Sequence, residues 1–132
     1  AGEFGRTPKL SLLASAYQED EVGGEKRVVL RLTPQIAPIK VAVLPLSKKL
    51  AAPAEKIAAD LRRRFAVDFD LPGSIGKRYR RQDEVGTPLC VTYDFDSEQD
   101  QKATVRDRDT TKQERIALSQ LPAYLSERIL GF

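Results

Sequence analysis

The chain contains no histidine and only one cysteine in 132 residues. Without histidine, a Ser-His-Asp catalytic triad cannot form, and a structural zinc site lacks its usual ligands. One cysteine cannot build a disulfide framework, which suits a protein of a reducing compartment. Cys90 lies in the apolar segment Pro88-Leu89-Cys90-Val91, which predicts a buried structural thiol rather than a reactive one. The scarcity of histidine and cysteine therefore argues against a histidine-based catalytic site and a structural zinc site.

Long apolar segments and targeting signals are also missing. No apolar run approaches the ~18 residues of a membrane span, and the first residues do not follow the pattern of a signal peptide. These absences predict a cytoplasmic protein without a membrane-spanning segment. With 41% hydrophobic and 31% charged residues, the composition fits one compact domain with a short extension. A net charge of +3 permits a polyanionic partner without requiring one.

The basic residues are clustered in a predicted helix between residues 74 and 86. Pro72-Gly73 is a turn signal, and Ser74 follows at the position of a helix N-cap. Gly86 and Pro88 are typical of the end of a helix. Ile75, Tyr79 and Gln82 share one helical face, on which Ile75 and Tyr79 are expected to contact a core.

The charges of this helix oppose its local stability. Lys77, Arg78, Arg80 and Arg81 lie toward the N-terminus, whereas Asp83 and Glu84 lie near the C-terminus, against the helix dipole. One interpretation is a solvated face with an Arg80–Glu84 pair, worth at most a few tenths of a kcal/mol. The other is a short basic helix directed at phosphates or at a folded RNA. The sequence of the helix leaves both open.

Apolar periodicity from residue 39 onward predicts an α/β domain. The predicted strands cover residues 39–46, 67–70, 89–95, 103–108 and 115–118, with a polar loop at 97–101. Helices are expected at 54–65, at 75–85, and from a cap at Ser119 to Gly131. The order β-α-β-α-β-β-β-α implies a sandwich with a mixed sheet and helices on both faces.

Residues 1–38 are predicted to lie outside this domain. The first eight residues resemble a cloning remnant. An amphipathic helix is expected over Leu10–Tyr17 and a strand over Val28–Leu32. Two prolines within five residues, Pro34 and Pro38, predict a stiff linker at 33–38. The expected division is therefore 1–32, 33–38 and 39–132.

Two motifs suggest enzymatic chemistry but carry little weight. Gly73-Ser74-Ile75-Gly76-Lys77 lacks the spacing of a phosphate-binding loop. Asp107 and Asp109 point to one face of a strand and could form a carboxylate pair for acid–base chemistry. Alternating arginine and aspartate at a strand end more often forms cross-strand ion pairs, so a structural role is favoured.

A basic surface next to aromatic side chains is the more informative pattern. Arg106 and Arg108 share one strand face, and with the basic helix they could form a single surface. Tyr93 and Phe95 near the end of the preceding strand could stack on unpaired bases. Packing in the core is the alternative for each aromatic residue.

Four segments resemble the C-terminal anticodon-binding domain of glycyl-tRNA synthetases. They are Val41–Leu46, Gly73–Pro88, Val91–Asp96 and Thr104–Thr110. The resemblance spans about residues 28–125, and the second segment is its most specific part. Leu32–Pro38 also resembles the junction with the catalytic domain, although Thr33 stands where the family often has histidine. The segment 10–17 resembles the last helix of that catalytic domain.

This resemblance implies a five-stranded mixed sheet flanked by three helices, the fold of class IIa anticodon-binding domains. It implies that the domain holds the anticodon arm of glycine tRNA while a separate catalytic domain activates glycine with ATP and Mg²⁺. The parent enzyme would be a homodimer, and this domain would bind no cofactor and be inactive alone. The alternative is the related domain of an accessory subunit of mitochondrial DNA polymerase, which is disfavoured because the middle motif is nearly complete.

The expected tRNA contacts fall into two groups. Lys77 and Arg81 are expected to meet phosphates, which position an RNA without reading it. Base edges would be read beside the aromatic strand, where splayed bases stack. The candidate base readers are Arg78, Arg106 and Arg108, with Tyr93 and Phe95 as stacking partners. The competing interpretation pairs Arg106 and Arg108 internally with Asp83, Asp107 or Asp109.

Overall fold

An antiparallel hairpin precedes a five-stranded mixed sheet in the computed structural model, which describes residues 17–131. The hairpin consists of β1 (Tyr17–Val22) and β2 (Glu25–Leu30). The first half of the sheet domain contains β3 (Val41–Pro45), a 3₁₀ turn (Lys48–Leu50), α1 (Ala51–Leu61), β4 (Val67–Phe69) and α2 (Ile75–Val85). The second half contains β5 (Leu89–Tyr93), the single turn α3 (Ser97–Asp100), β6 (Lys102–Asp107), β7 (Gln113–Ala117) and α4 (Leu121–Leu130).

The sheet has the strand order β4-β3-β5-β6-β7. β3 runs parallel to β4 and β5, whereas β6 is antiparallel to both β5 and β7. β3 is buried along its whole length, as its continuous apolar sequence predicts for a strand covered on both faces. The expected five-stranded mixed sheet flanked by three helices is confirmed.

The alternating residues of the strands build two different layers. Val43, Val91 and Val105 face α1 and α4 and form the main hydrophobic core with them. Ala42, Leu44 and Cys90 point to the opposite face, where α2 covers them. The predicted burial of Cys90 is confirmed, and desolvation raises the pKa of its thiol to about 12.

Several local predictions differ from the structure. The expected helix at 10–17 lies outside the described residues except for Tyr17, which begins β1. That strand was missed because its sequence, Tyr-Gln-Glu-Asp-Glu-Val, is mostly polar. Ser119 does not cap α4, because the N-cap position is Gln120 and no side chain bonds there. The loop at 97–101 contains the helical turn α3.

The hairpin packs against α2. The Cβ that an alanine would add at Gly86 lies 3.1 Å from Leu30 O, and the Arg27 guanidinium bonds to Asp83 on α2. The proposed domain boundary at 33–38 stays a prediction. Over residues 17–131, no helix combines the length and apolar character that crossing a membrane requires.

Candidate nucleic-acid interface

Helix α2 forms where its capping residues predict. The Ser74 side chain accepts a hydrogen bond from Lys77 N at 3.3 Å, and Gly86 ends the helix in the left-handed conformation with φ of 86°. Ile75 and Tyr79 pack on the sheet as expected. The charged face of the helix is consequently held in one orientation.

A groove of about 780 Å³ runs along this face, between α2, the hairpin and the ends of β6 and β7. We call it the basic groove. Four of its lining residues are cationic and two are acidic, so the net charge of the lining is positive. Its lining consists of Val22, Glu25, Ser74, Gly76, Lys77, Tyr79, Arg80, Arg81, Glu84, Arg106, Thr111 and Gln113.

Tyr79 and Arg106 form a stacked pair in the basic groove. The Arg106 guanidinium carbon lies 4.7 Å from the centroid of the Tyr79 ring, within the range of a cation–π contact. The Tyr79 hydroxyl lies 2.7 Å from Thr92 Oγ1, which fixes the ring. Burial raises the pKa of Tyr79, so its hydroxyl is neutral at ordinary pH. The half-buried Tyr79 ring lines the groove and is backed by the buried Arg106, so the groove contains a fixed aromatic surface of the kind that stacks on an unpaired base.

Asp83 holds Arg106 in this position. Its carboxylate is fully buried and accepts bonds from Arg106 Nη1 at 2.9 Å and Nη2 at 3.2 Å. The same carboxylate accepts a bond from Arg27 Nη1 at 2.9 Å. One buried anion thus links the groove to the hairpin, and the competing interpretation, which pairs Arg106 internally with Asp83, is confirmed.

An ionic chain continues from Asp83 through the hairpin. Arg27 also bonds to Asp20, and Arg31 connects Asp20 to Asp109. The hydrogen bond from Arg27 is the main reason that the pKa of Asp20 is lowered. The chain ends at Arg108, whose Nε donates to Asp109 Oδ1 at 2.9 Å. Arg108 is therefore also paired internally, with Asp109.

The remaining cations of the groove differ in how firmly they are held. Arg81 binds both carboxylate oxygens of Asp70, at 3.0 and 2.8 Å, although about half of its side chain is exposed. Arg80 Nη2 lies 3.7 Å from Glu25 Oε2, rather than forming the pair with Glu84 that one of the two interpretations of this helix contained. Lys77 is exposed, as predicted, and is free to meet a phosphate.

Three expected members of an exposed basic surface are buried. Arg78, Arg106 and Arg108 are only 2, 3 and 2% exposed. Arg78 Nη1 donates to Pro45 O and Asp70 O, and Arg108 donates to Gly86 O and Leu32 O. The prediction of one exposed surface is wrong for these three residues, because backbone carbonyls and carboxylates of neighbouring segments enclose them. Arg106 alone among them lines the groove.

The two aromatic candidates lie in different environments. Tyr93 is 5% exposed and belongs to the main core with α1 and α4, on the side of the sheet away from α2. Its expected place on the RNA-binding surface is therefore corrected to core packing. Phe95 follows the end of β5 and is 51% exposed, so it remains free to stack.

Sequence reasoning missed Tyr79 and Arg80 as groove residues. Tyr79 was expected only to anchor the helix, and Arg80 only to face water. Helical spacing placed both correctly, but the hairpin that closes the groove was not predicted.

Asp107 has a structural role. Its Oδ1 accepts bonds from Asp109 N and Thr110 N in a turn. In residues 17–131 no cluster of three or more acidic, cysteine or histidine side chains is placed to hold a metal ion.

Comparison with known proteins identifies the domain. The family model described as "Anticodon binding domain" matches residues 40–128. Over 120 residues the chain is 62% identical to the glycine–tRNA ligase of Caldanaerobacter subterraneus subsp. tengcongensis, covering 91% of this chain and 26% of that protein. Identity is 57% to the glycine–tRNA ligase of Lachnospira eligens, with 90% of this chain and 26% of that protein covered. The chain thus spans about a quarter of the length of these relatives.

Solved structures show the same architecture. The RNA-binding domain of threonyl-tRNA synthetase from Cryptosporidium parvum Iowa II matches with a TM-score of 0.69 and 29% identity, over 74% of this chain and 25% of that chain. Histidyl-tRNA synthetase from Nostoc sp. PCC 7120 matches with a TM-score of 0.66 and 25% identity, over 69% of this chain and 22% of that chain. The comparisons give no support to the polymerase accessory subunit. The resemblance to glycyl-tRNA synthetases is confirmed, and the chain belongs to the family of anticodon-binding domains.

Proposed function

We propose that this domain is part of a glycine–tRNA ligase and holds the anticodon arm of glycine tRNA in the basic groove. The observation that carries the proposal is the groove itself. It combines exposed cations with a fixed arginine stacked on a tyrosine. Single-stranded RNA loops are recognised by such combinations of positive charge, planar side chains and positioned donors.

The groove residues divide into two roles in this proposal. Lys77, Arg80 and Arg81 lie along the exposed side of α2 and would contact phosphates, which set the position of the RNA. Tyr79 is fixed by Thr92 and by the Arg106 guanidinium that Asp83 holds against its ring, and the ring would contact a base. Phe95, exposed at the end of β5, would stack on a neighbouring base.

The parent enzyme would supply the chemistry. A catalytic domain outside this chain would activate glycine with ATP and Mg²⁺ and esterify it to the tRNA, and the parent would act as a cytoplasmic homodimer. Since the chain spans 26% of its relative's length, we expect it to catalyse no reaction alone. Glycine-dependent pyrophosphate exchange with the purified chain should equal that of buffer, and turnover above this background would contradict the proposal.

Binding to native and anticodon-swapped glycine tRNA tests the proposed recognition. The unaltered chain should bind the native tRNA more tightly. Lys77→Ala should weaken binding to both RNAs alike and reduce the slope of log affinity against log salt by about one unit. Lys56→Ala is the matched control, because Lys56 is exposed on α1, on the other side of the sheet.

Arg106→Gln tests the base contact. It should lose ~1–3 kcal/mol for the native anticodon and little for the swapped one, with folding checked by thermal unfolding. No preference of the unaltered chain for the native anticodon would contradict the assignment of the groove as an anticodon reader.

A further inference from the structure

Arg78 is a buried cation that forms no hydrogen bond with a carboxylate of residues 17–131. It is 2% exposed, and within residues 17–131 its only hydrogen bonds are from Nη1 to Pro45 O at 2.6 Å and to Asp70 O at 3.0 Å. The Asp70 carboxylate is occupied by Arg81 and Gln82. Buried arginines are normally paired with an anion, because an uncompensated charge in the interior is costly.

One edge of the Arg78 guanidinium lacks acceptors altogether. Nε is buried without a hydrogen-bond partner, and the described residues place no acceptor on Nη2. Nε and Nη2 carry parallel N–H groups, the arrangement that binds two oxygens of one phosphate or carboxylate. Desolvation lowers the pKa of Arg78, and the charge of the nearby Asp70 carboxylate, which Arg81 and Gln82 occupy, offsets this effect only in part.

Arg78 lines a separate cavity of about 480 Å³, which we call the Arg78 cavity. No acidic side chain is among its lining residues within the described chain, and Lys48 adds a second cation. The remaining lining comes from Leu46 and Ser47 after β3, and from Leu71, Pro72 and Gly73 before α2. The lining therefore carries two cations and no anion.

The position of the cavity in the sheet also favours a ligand. It lies at the carboxyl ends of the parallel strands β3 and β4. From β3 the chain reaches β4 through α1 on one face, and from β4 it reaches β5 through α2 on the other. In open α/β sheets, ligands bind in the crevice at the carboxyl ends of neighbouring strands whose connecting helices lie on opposite faces of the sheet.

We propose that the Arg78 cavity binds a phosphate group, held by Arg78 and Lys48. The phosphate comes either from an RNA backbone, which rests on the proposed function, or from a free phosphate. Arg78 lines the cavity, and the unpartnered edge of its guanidinium would supply the N–H groups for the phosphate oxygens. The second cation, Lys48, meets the same oxygens from the mouth of the cavity.

Phosphate titration of the 132-residue chain, observed by amide NMR at constant ionic strength with chloride as the reference anion, tests the site. Saturable shifts should concentrate at Ser47, Lys48 and Gly73. Lys48→Ala should weaken phosphate binding about fivefold or more, the loss of one charge-assisted contact. Lys49→Ala should bind as the unaltered chain does, since Lys49 is exposed on the same turn but does not line the cavity. No saturable shift at these amides, or equal weakening in both variants, would overturn the proposal.

An anticodon stem-loop of glycine tRNA distinguishes the two sources. For a backbone phosphate, Lys48→Ala should weaken RNA binding and lower its salt slope by about one unit relative to Lys49→Ala. Equal RNA binding by the two variants, together with saturable phosphate binding, identifies a free phosphate as the ligand. If the unaltered chain bound no RNA, only the proposed function would be contradicted, because the phosphate titration decides the cavity by itself.

Discussion

Asp83 shows how one side chain can organise a surface that it does not reach. Its carboxylate is fully buried, yet it bonds to Arg106 in the basic groove and to Arg27 in the hairpin. A buried anion between two arginines costs desolvation energy that only near-complete hydrogen bonding offsets. Asp83 therefore couples the stability of the fold to the position of Arg106.

Replacing Asp83 by asparagine should destabilise the domain by about 3–5 kcal/mol, because the buried Arg106 guanidinium loses its anion and Arg27 keeps only the Asp20 carboxylate. The measurement is urea unfolding of the variant and of the unaltered chain. Glu84→Gln is the control, since Glu84 is exposed on the next position of the helix, and it should change stability by no more than about 0.5 kcal/mol. Similar stabilities of the two variants would show that Asp83 is not the structural centre of this cluster.

Helix α2 is the element that carries the groove, and its C-terminal cap joins it to the hairpin. Gly86 has a φ of +86°, and an added Cβ would lie 3.1 Å from both Leu30 O and Leu30 Cδ2. Gly76 lies in the same helix, but an added Cβ there meets nothing within 4 Å. A side chain is therefore disfavoured at Gly86, by both its backbone conformation and its neighbours, whereas Gly76 has room for one.

Gly86→Ala should lower the unfolding free energy by about 1–3 kcal/mol, from left-handed backbone strain and the clash with Leu30. Gly76→Ala should raise it by about 0.5 kcal/mol, because alanine restricts the unfolded chain and favours the helix. Denaturant unfolding measures both. If Gly86→Ala left the free energy of unfolding unchanged, the helix would not need a glycine at this position to end.

The hairpin is held partly by the charge of Asp20, which makes its attachment depend on pH. The hydrogen bond from Arg27 lowers the pKa of Asp20 below its unfolded value of about 3.9. This stabilisation is complete above that value and is lost as the pH falls through the lower folded pKa.

Asp20→Asn should therefore be less stable than the unaltered chain at about pH 7, and the difference should shrink as the pH falls through the lowered folded pKa of Asp20. Glu19→Gln, which changes the exposed neighbour on β1, should show no such difference. A destabilisation by Asp20→Asn that persists unchanged in acid would exclude this charge as the cause.

At the scale of the whole molecule, the main core and the hairpin make separate contributions. The main core is built entirely from residues between Val41 and Ile129 and from the helices α1 and α4. The hairpin instead contacts α2 through Arg27 and Leu30. Its loss should weaken the domain without removing the core.

Deletion of residues 1–32 should leave a cooperative thermal transition at a lower temperature, and weaker RNA binding because the hairpin that forms one wall of the groove is removed. Circular dichroism during heating and tRNA titration measure the two effects. The control is deletion of residues 1–16, which leaves the hairpin in the chain. A molten or aggregated product of the longer deletion would place the hairpin inside the folding unit.

The sequence by itself determined those helices and strands that depend on neighbouring residues along the chain. Ser74 and Gly86 determine the bounds of α2, because a cap depends on residues within one turn. The apolar run around Val43 indicated a strand covered on both faces, and the structure buries every residue of that strand. The motifs from Val41 to Thr110 determined the family, since they combine these elements with specific charged residues.

Only the tertiary structure decided which cations are exposed. Arg78, Arg81 and Arg106 have the same charge, but their surroundings come from segments up to 79 positions apart, such as Arg27 and Arg106 on Asp83. Helical and strand periodicity give the direction of a side chain relative to its own element and contain no information about what covers it. Burial and pairing depend on long-range packing, so the groove, the stacked pair of Tyr79 and Arg106, and the unpaired edge of Arg78 appear only in the folded chain.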